Sequence, residues 1–231
     1  LLKDRGASET IRLWVPGCAT GEEVYSLAIL LREHLDTLPA APRVQVFATD
    51  IDDRALAVAR AARYPAALLD GVSAERRERY FVADGDRYVV SKAVRDLCIF
   101  SPHNVLRDPP FSRIDLVSCR NLLIYFGGGI QKQVIPTFHY ALRPGGYLFL
   151  GMSENVTQFN DLFSPIDKKH RIFQRRTDIG AQPRPTITLP SMHKPDLLHS
   201  AHRRAQTGAS ALRQSVDSQV LAQHAPPHVL V

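Results

Sequence analysis

The chain lacks several features that would each point to a familiar class of protein. It has three cysteines, Cys18, Cys98 and Cys119, far apart and without the paired spacing of a metal site or a disulfide framework. They read as small buried apolar residues of a reduced, cytoplasmic protein. No apolar run approaches the ~20 residues of a membrane span, and Leu1 to Arg12 is mixed and charged, unlike a signal peptide. A net charge of +6 with a pI near 9.4 would suit nucleic acid. Yet the basic residues are interleaved with acids, with no long Lys/Arg run and no aromatic-rich basic stripe, so an acidic protein surface is the better partner. No His-Asp or Cys-His pair stands out as catalytic. The glycine turns carry neither the Lys-Ser/Thr of a phosphate loop nor the tight G-x-G-x-x-G of a dinucleotide site.

What is present is enough for one good-sized domain and something extra: 231 residues, 45% of them hydrophobic. Arg12–Val15 reads as a buried strand, and Val24–Leu35 as an amphipathic helix with Leu27, Leu30, Leu31 and Leu35 at helical spacing. Pro39 and Pro42 place a loop before a second strand, Val44–Asp50, and an alanine-rich helix over Asp53–Arg63. This order argues for a parallel sheet with right-handed crossovers. Ala74–Tyr80 reads as a helical piece. Tyr80–Val82, the turn Asp84-Gly85-Asp86 and Tyr88–Val90 read as a hairpin inserted ahead of a third strand, Leu97–Phe100. Strand Ile114–Cys119, helix Ile130–Leu142, the turn Arg143–Gly146 and strand Tyr147–Leu150 follow. A hairpin of Phe163–Ile166 with Arg171–Gln174 closes a body running from Leu1 to Arg176. The insertion occupies about residues 80–96. Proline-rich 177–195 reads as a linker, and 196–231 as a helical connector leading into a strand that starts another domain.

The segment Leu13 to Glu23 is the most telling. An apolar run enters a turn bounded by Gly17 and Gly21 and leaves it as a helix, which is where an α/β fold cradles a nucleotide-like ligand. Glu22 and Glu23 at the helix start would repel a phosphate and welcome an amino group or a sulfonium, and S-adenosyl-L-methionine carries both. The plainer alternative is an ordinary glycine turn with acids complementing a helix dipole. Asp50, closing the second strand, can accept from both ribose hydroxyls or can cap the next helix. Asn104 and the pair Arg120-Asn121 also follow strands, so all these features converge on one edge of the sheet. His103 reads as a loop residue.

The chain resembles the methyltransferase domain of CheR-type chemotaxis receptor methyltransferases. The resemblance is carried by Pro16-Gly-Cys-Ala-Thr-Gly-Glu-Glu23 with Tyr25-Ser26, Ala48-Thr-Asp-Ile-Asp52, Cys119-Arg-Asn-Leu-Leu-Ile-Tyr-Phe126, Leu142-Arg-Pro-Gly-Gly146 and Gly151-Met-Ser-Glu-Asn155. It implies a class I, Rossmann-like S-adenosylmethionine-dependent fold, α/β with a mostly parallel sheet and a small antiparallel insertion. It further implies Glu22 or Glu23 on the methionine amino group, Asp50 on the ribose, and Asn104 and Val105 along the adenine. Arg120 and Asn121 would border the methionine end, and Tyr125 would lie near the transferred methyl. S-adenosyl-L-homocysteine would be the product. The acceptors would be glutamates on cytoplasmic receptor helices, with a receptor tail peptide as a further partner at the insertion.

The family's helical N-terminal domain and the Thr-x-Phe-Phe-Arg segment after it have no counterpart in this sequence, so binding without efficient turnover is expected of it. The last residues are similar to the start of a PAS domain, which suggests a piece of a methylesterase–methyltransferase–PAS fusion. Competing readings are a dehydrogenase, a non-catalytic cofactor- or partner-binding module, and another small-molecule methyltransferase on the same fold. A receptor glutamate is already ionised at neutral pH, with a pKa of ~4.3, and needs no general base. Catalysis would rest on alignment and exclusion of water. Tyr125 reads either as the group that orients the nucleophile or as a buried aromatic with a satisfied hydroxyl.

Overall fold

A computed structural model of the chain describes residues 5–177. The expected linker beyond residue 177 and the expected helical connector and strand over 196–231 lie outside the described residues. The main sheet is built from β1 (Thr10–Pro16), β2 (Arg43–Asp50), β6 (Cys98–Pro102), β7 (Ile114–Cys119), β8 (Leu142–Leu150), β9 (Phe163–Asp167) and β10 (Ile172–Arg175). Its order is β6-β2-β1-β7-β8-β10-β9. The pairs from β6 through β8 are parallel and the β8-β10 and β10-β9 pairs antiparallel. The chain builds outward from β1 on one side and then returns to lay β7 against the other side of β1. The carboxyl ends of β1 and β7 therefore flank the point where strand order reverses.

Alternation along the central strands divides the core. Leu13 and Val15 of β1 pack with Val24 and Leu31 of α1 (Glu22–Leu35) and with Leu56 of α2 (Asp53–Ala61). Trp14, one residue out of phase, faces the opposite side with Val134, Ile135 and Phe138 of α5 (Gly128–Ala141). Its indole N–H donates to the Thr49 hydroxyl at 2.9 Å, so the one polar atom of this buried ring is satisfied. All six residues of β7 are buried, as a central parallel strand covered on both faces requires.

The expected hairpin is present as β4 (Phe81–Asp84) and β5 (Arg87–Val90), preceded by α3 (Ala74–Tyr80) and followed by α4 (Lys92–Arg95). A third strand, β3 (Arg63–Pro65), pairs with β5 on its other side, giving a small sheet of order β3-β5-β4. The subdomain thus begins well before the expected Tyr80. Three residues are too few to show alternation, and Pro65 reads as a breaker. The expected turn at Arg143–Gly146 is instead a bulge inside β8. Leu142 pairs with Ile114 and Tyr147 with Leu116, and Gly145 takes a φ of +74° where the extra residues loop out. Helix α2 stops at Ala61 rather than Arg63 because Ala62 adopts a left-handed φ of +54°.

Asp115 is the polar centre of the buried strand β7. One oxygen accepts from Arg5 Nη2 at 2.8 Å and lies 2.6 Å from Arg143 Nε in an ion pair, while the other accepts from the Arg12 amide at 2.9 Å. Its side chain is only 3% exposed, so removing it leaves the Arg12 amide without its acceptor and takes one partner from Arg5, which keeps Glu9, and one from the half-exposed Arg143. Asp115→Ala should cost about 3 kcal/mol of stability, read as a lower urea midpoint at unchanged m; an unchanged midpoint would show that water replaces the carboxylate.

His139 is buried beside Arg176, with Nε2 3.2 Å from its carbonyl oxygen. Burial pushes its pKa below the ordinary 6.5, opposed by the Arg176 contact. The unfolded chain therefore takes up the proton first. The stability this group contributes is complete above pH 6.5 and is lost as pH falls through the folded value. The thermal midpoint should fall on acidification from about pH 7.5 to about pH 5, and more shallowly in His139→Gln. Equal slopes would remove His139 from the account.

Candidate cofactor site

The site starts with the turn after β1. Gly17 and Gly21 take φ values of +67° and +92°. At Gly21 a Cβ would also meet the Ala59 Cβ at 2.9 Å, since α2 packs directly over the turn. Gly21 occupies the cap position of α1 without a side-chain cap, and Glu22 and Glu23 form the first turn, starting the helix earlier than the expected Val24. The Cys18 amide donates to the Thr49 carbonyl at 3.0 Å and the Ala19 amide to Asp50 Oδ2 at 2.8 Å. Asp50 Oδ1 accepts from the Asp52 amide at 2.9 Å. Asp50 thus joins the loops after β1 and β2. The cap of α2 is Asp52, which accepts from the Arg54 and Ala55 amides. Each Asp50 oxygen keeps a lone pair for a further donor.

The two glutamates differ. Both Glu22 oxygens lie against the Thr20 hydroxyl, at 2.6 and 2.7 Å. Glu23 faces the other way: the Ser118 hydroxyl of β7 donates to its Oε1 at 2.5 Å, and Arg120 Nη1 lies 3.8 Å from its Oε2. Burial raises the Glu23 pKa, with the Ser118 hydrogen bond and Arg120 acting against it. The Arg120 guanidinium lies over the Phe149 ring, 5.0 Å from its centroid, and its buried Nε has no hydrogen-bond partner among the described residues. Asn121 follows with a left-handed φ of +60°.

At the end of β6 the His103 amide donates to the Asp50 carbonyl at 3.0 Å, bringing Asn104 alongside. His103 is held as a loop residue, with Nε2 3.1 Å from the Pro109 carbonyl oxygen and its ring against Trp14 and Phe111. The Asn104 amide donates to Asp108 at 2.7 Å, and its side-chain oxygen accepts from the Leu106 amide. Val105 is half-buried against the Trp14 core. Gly17, Gly21, Glu22, Glu23, Asp50, Asn104, Val105, Arg120 and Asn121 therefore follow the carboxyl ends of β1, β2, β6 and β7, with Glu23 and Arg120 paired directly. Tyr125 stands apart on the short 3-10 turn Leu123–Tyr125 and is 62% exposed, so it is not the buried aromatic that was the alternative.

Three contributors are absent from the sequence reading. Thr20 engages Glu22, and Ser118 engages Glu23. Glu154, 4% exposed, accepts from the amides of Asn121, Leu123 and Gly151 at 2.9, 2.7 and 2.7 Å. A serine near the end of a largely apolar strand, and an acid within Gly151–Asn155, were the available signals.

A parallel sheet that reverses at β1/β7, ends in an antiparallel edge pair and opens its switch point with an acidic glycine turn defines a class I S-adenosylmethionine-dependent methyltransferase fold. The model of the CheR methyltransferase, SAM binding domain, matches residues 1–172, and the chain belongs to that family. The cofactor of that domain is S-adenosylmethionine, as the acids of the turn led us to expect. The chain is 36% identical over 182 residues to chemotaxis protein methyltransferase 1 of Pseudomonas aeruginosa, covering 76% of this chain and 65% of that protein. It is 36% identical over 171 residues to chemotaxis protein methyltransferase 1 of Vibrio cholerae, covering 72% and 62%. It is also 38% identical over 199 residues to an uncharacterized 104.1 kDa protein of Rhodobacter capsulatus, covering 81% of this chain and 21% of that protein. The chain thus spans under two thirds of the first two relatives and about a fifth of the third. Among the described residues no helix is long and apolar enough to cross a membrane.

The close approach at Gly21 yields a stability test. Gly21→Ala combines a left-handed backbone with a methyl group pressed on Ala59 and should destabilise by about 2 kcal/mol. Denaturant unfolding measures it, and a loss under about 0.5 kcal/mol would mean that α2 shifts freely to make room.

Proposed function

We propose that this domain belongs to a methyltransferase that moves the methyl group of S-adenosylmethionine to glutamate carboxylates of chemotaxis or related sensory receptors in the cytoplasm. The observation that carries the cofactor placement is the pairing of Glu23 with Arg120. A half-buried acid beside a half-buried guanidinium matches the ammonium and carboxylate of an α-amino acid. Glu23 rather than Glu22 takes the amino group, since Glu22 is turned onto Thr20. A bound cation would also relieve the cost of keeping Glu23 ionised in its buried position. Arg120 and Asn121 border the amino-acid end. Asp50 accepts from the ribose hydroxyls with its remaining lone pairs, and Asn104 and Val105 lie along the adenine.

The cofactor supplies a methyl group on a sulfonium, a leaving group that needs no acid. The acceptor is a carboxylate that is already ionised at neutral pH, so the protein needs no base to activate it. What the chain provides is position: one wall from the turn after β1, another from Arg120 and Asn121, and the exposed Tyr125 hydroxyl to donate to the incoming carboxylate. The small sheet β3-β5-β4 leaves strand β4 at an edge with Val82 61% exposed, which suits an extended receptor tail peptide.

Calorimetry with S-adenosylhomocysteine tests the placement. Asp50→Ala should weaken binding by about 1.5–3 kcal/mol, the loss of charge-assisted bonds; unchanged affinity would leave Asp50 only its loop-joining role. Labelled methyl transfer to a receptor fragment tests the acceptor, because a glutamyl ester releases its label in mild base. Label that survives base would place the methyl elsewhere.

A further inference from the structure

Where β7 ends, the amides of Asn121 and Leu123 leave the sheet with no strand to pair with. A single side chain takes them both. Glu154 Oε2 accepts from Asn121 N, Oε1 accepts from Leu123 N, and Oε2 also accepts from Gly151 N at the end of β8. The Glu154 amide in turn donates to the Gly151 carbonyl at 3.0 Å, so Gly151 to Glu154 is a closed turn. The loop after β7 is thereby fastened to the loop after β8. Gly151 is part of the fastening, since a Cβ there would fall 2.6 Å from Asn121 Oδ1, 2.7 Å from Glu154 Oε2 and 3.1 Å from Asn121 N. Asn121 in the held segment is left-handed at +60°, a conformation that asparagine adopts more readily than other non-glycine residues. Without an anion collecting these N–H groups, the Arg120–Asn121 turn would relax and the buried amides of Leu123 and Gly151 would lack acceptors.

We propose that Glu154 is a positioning residue. It holds the Arg120–Asn121 turn in the one conformation that presents both side chains to the amino-acid end of the cofactor, and so sets affinity for that end independently of the nucleoside end. This rests on the placement of Arg120 and Asn121 given under the proposed function. A purely structural buried carboxylate would behave differently: its loss would loosen the whole edge of the sheet and weaken every ligand alike.

The test uses two ligands, S-adenosylhomocysteine and 5′-methylthioadenosine, which shares the adenosine and the thioether but lacks the amino-acid group. The parent chain should bind the first far more tightly. Glu154→Gln keeps the side-chain volume but puts an amide NH2 where an acceptor is needed. Gly151→Ala keeps the carboxylate and pushes Asn121 aside. Each should cut affinity for S-adenosylhomocysteine at least tenfold and leave 5′-methylthioadenosine within about twofold, measured by calorimetry on folded protein. Two variants that weaken both ligands equally, or neither, overturn the proposal. So does a parent chain that binds the two ligands alike, since the turn would then contribute nothing. A parent chain that binds neither ligand overturns the cofactor placement itself, and the proposal with it.

Discussion

Backbone N–H groups that run off the carboxyl ends of parallel strands have no ladder to join, and in this domain carboxylates collect them. Asp50 takes the amides of Ala19 and Asp52, Asp52 those of Arg54 and Ala55, Asp108 that of Asn104, and Glu154 those of Asn121, Leu123 and Gly151. The bonds of Asp50 to Ala19 and of Glu154 to Asn121 and Leu123 join distant stretches of chain, while those to Asp52, Arg54, Ala55 and Asn104 shape local turns. The loops at this end are held by anions as well as by packing, and that end of the sheet is accordingly rich in acids while the protein as a whole is basic.

That arrangement suits a zwitterionic, partly cationic ligand. A phosphate at the start of α1 would meet Glu22 and Glu23, and a dinucleotide would meet the same obstacle. On the placement proposed above, an α-amino acid with a sulfonium would meet acids it can pair with and one guanidinium for its own carboxylate. Burial raises the Glu23 pKa, and the Ser118 hydroxyl and Arg120 act against that rise and hold the side chain between them. The dehydrogenase reading is set aside by membership of the CheR family.

Below the loops, the core explains why the edge can be so polar. Trp14 on one face of β1 and Leu13 and Val15 on the other tie the sheet to helices on both sides. β7, buried throughout, carries its two functional polar groups at Asp115 and Ser118, near opposite ends of the strand. Asp115 anchors the amino-terminal end through Arg5, Arg12 and Arg143, and Ser118 serves the site near the carboxyl end. A rigid strand with one polar device near each end places the turn that follows it.

The sequence by itself determined the strand and helix order, the parallel sheet, the acidic glycine turn and the set of residues gathered at its edge, because apolar periodicity and glycine–acid spacing are local properties. It also marked the Gly151–Asn155 segment without saying what its acid does. Only the tertiary structure decided which glutamate meets Ser118 and Arg120, that Asp50 ties the loop after β1 to the loop after β2, that Arg63–Pro65 joins the inserted hairpin, and that Arg143–Gly146 is a bulge within a strand. Each of these depends on a partner distant in sequence: Ser118 for Glu23, Ala19 for Asp50, Val89 for Arg63, Ile114 for Leu142. Glu154 shows the reason most plainly. Two of its three N–H partners lie more than thirty residues upstream, and nothing in the local pattern of an acid after a glycine turn says which loop it will hold.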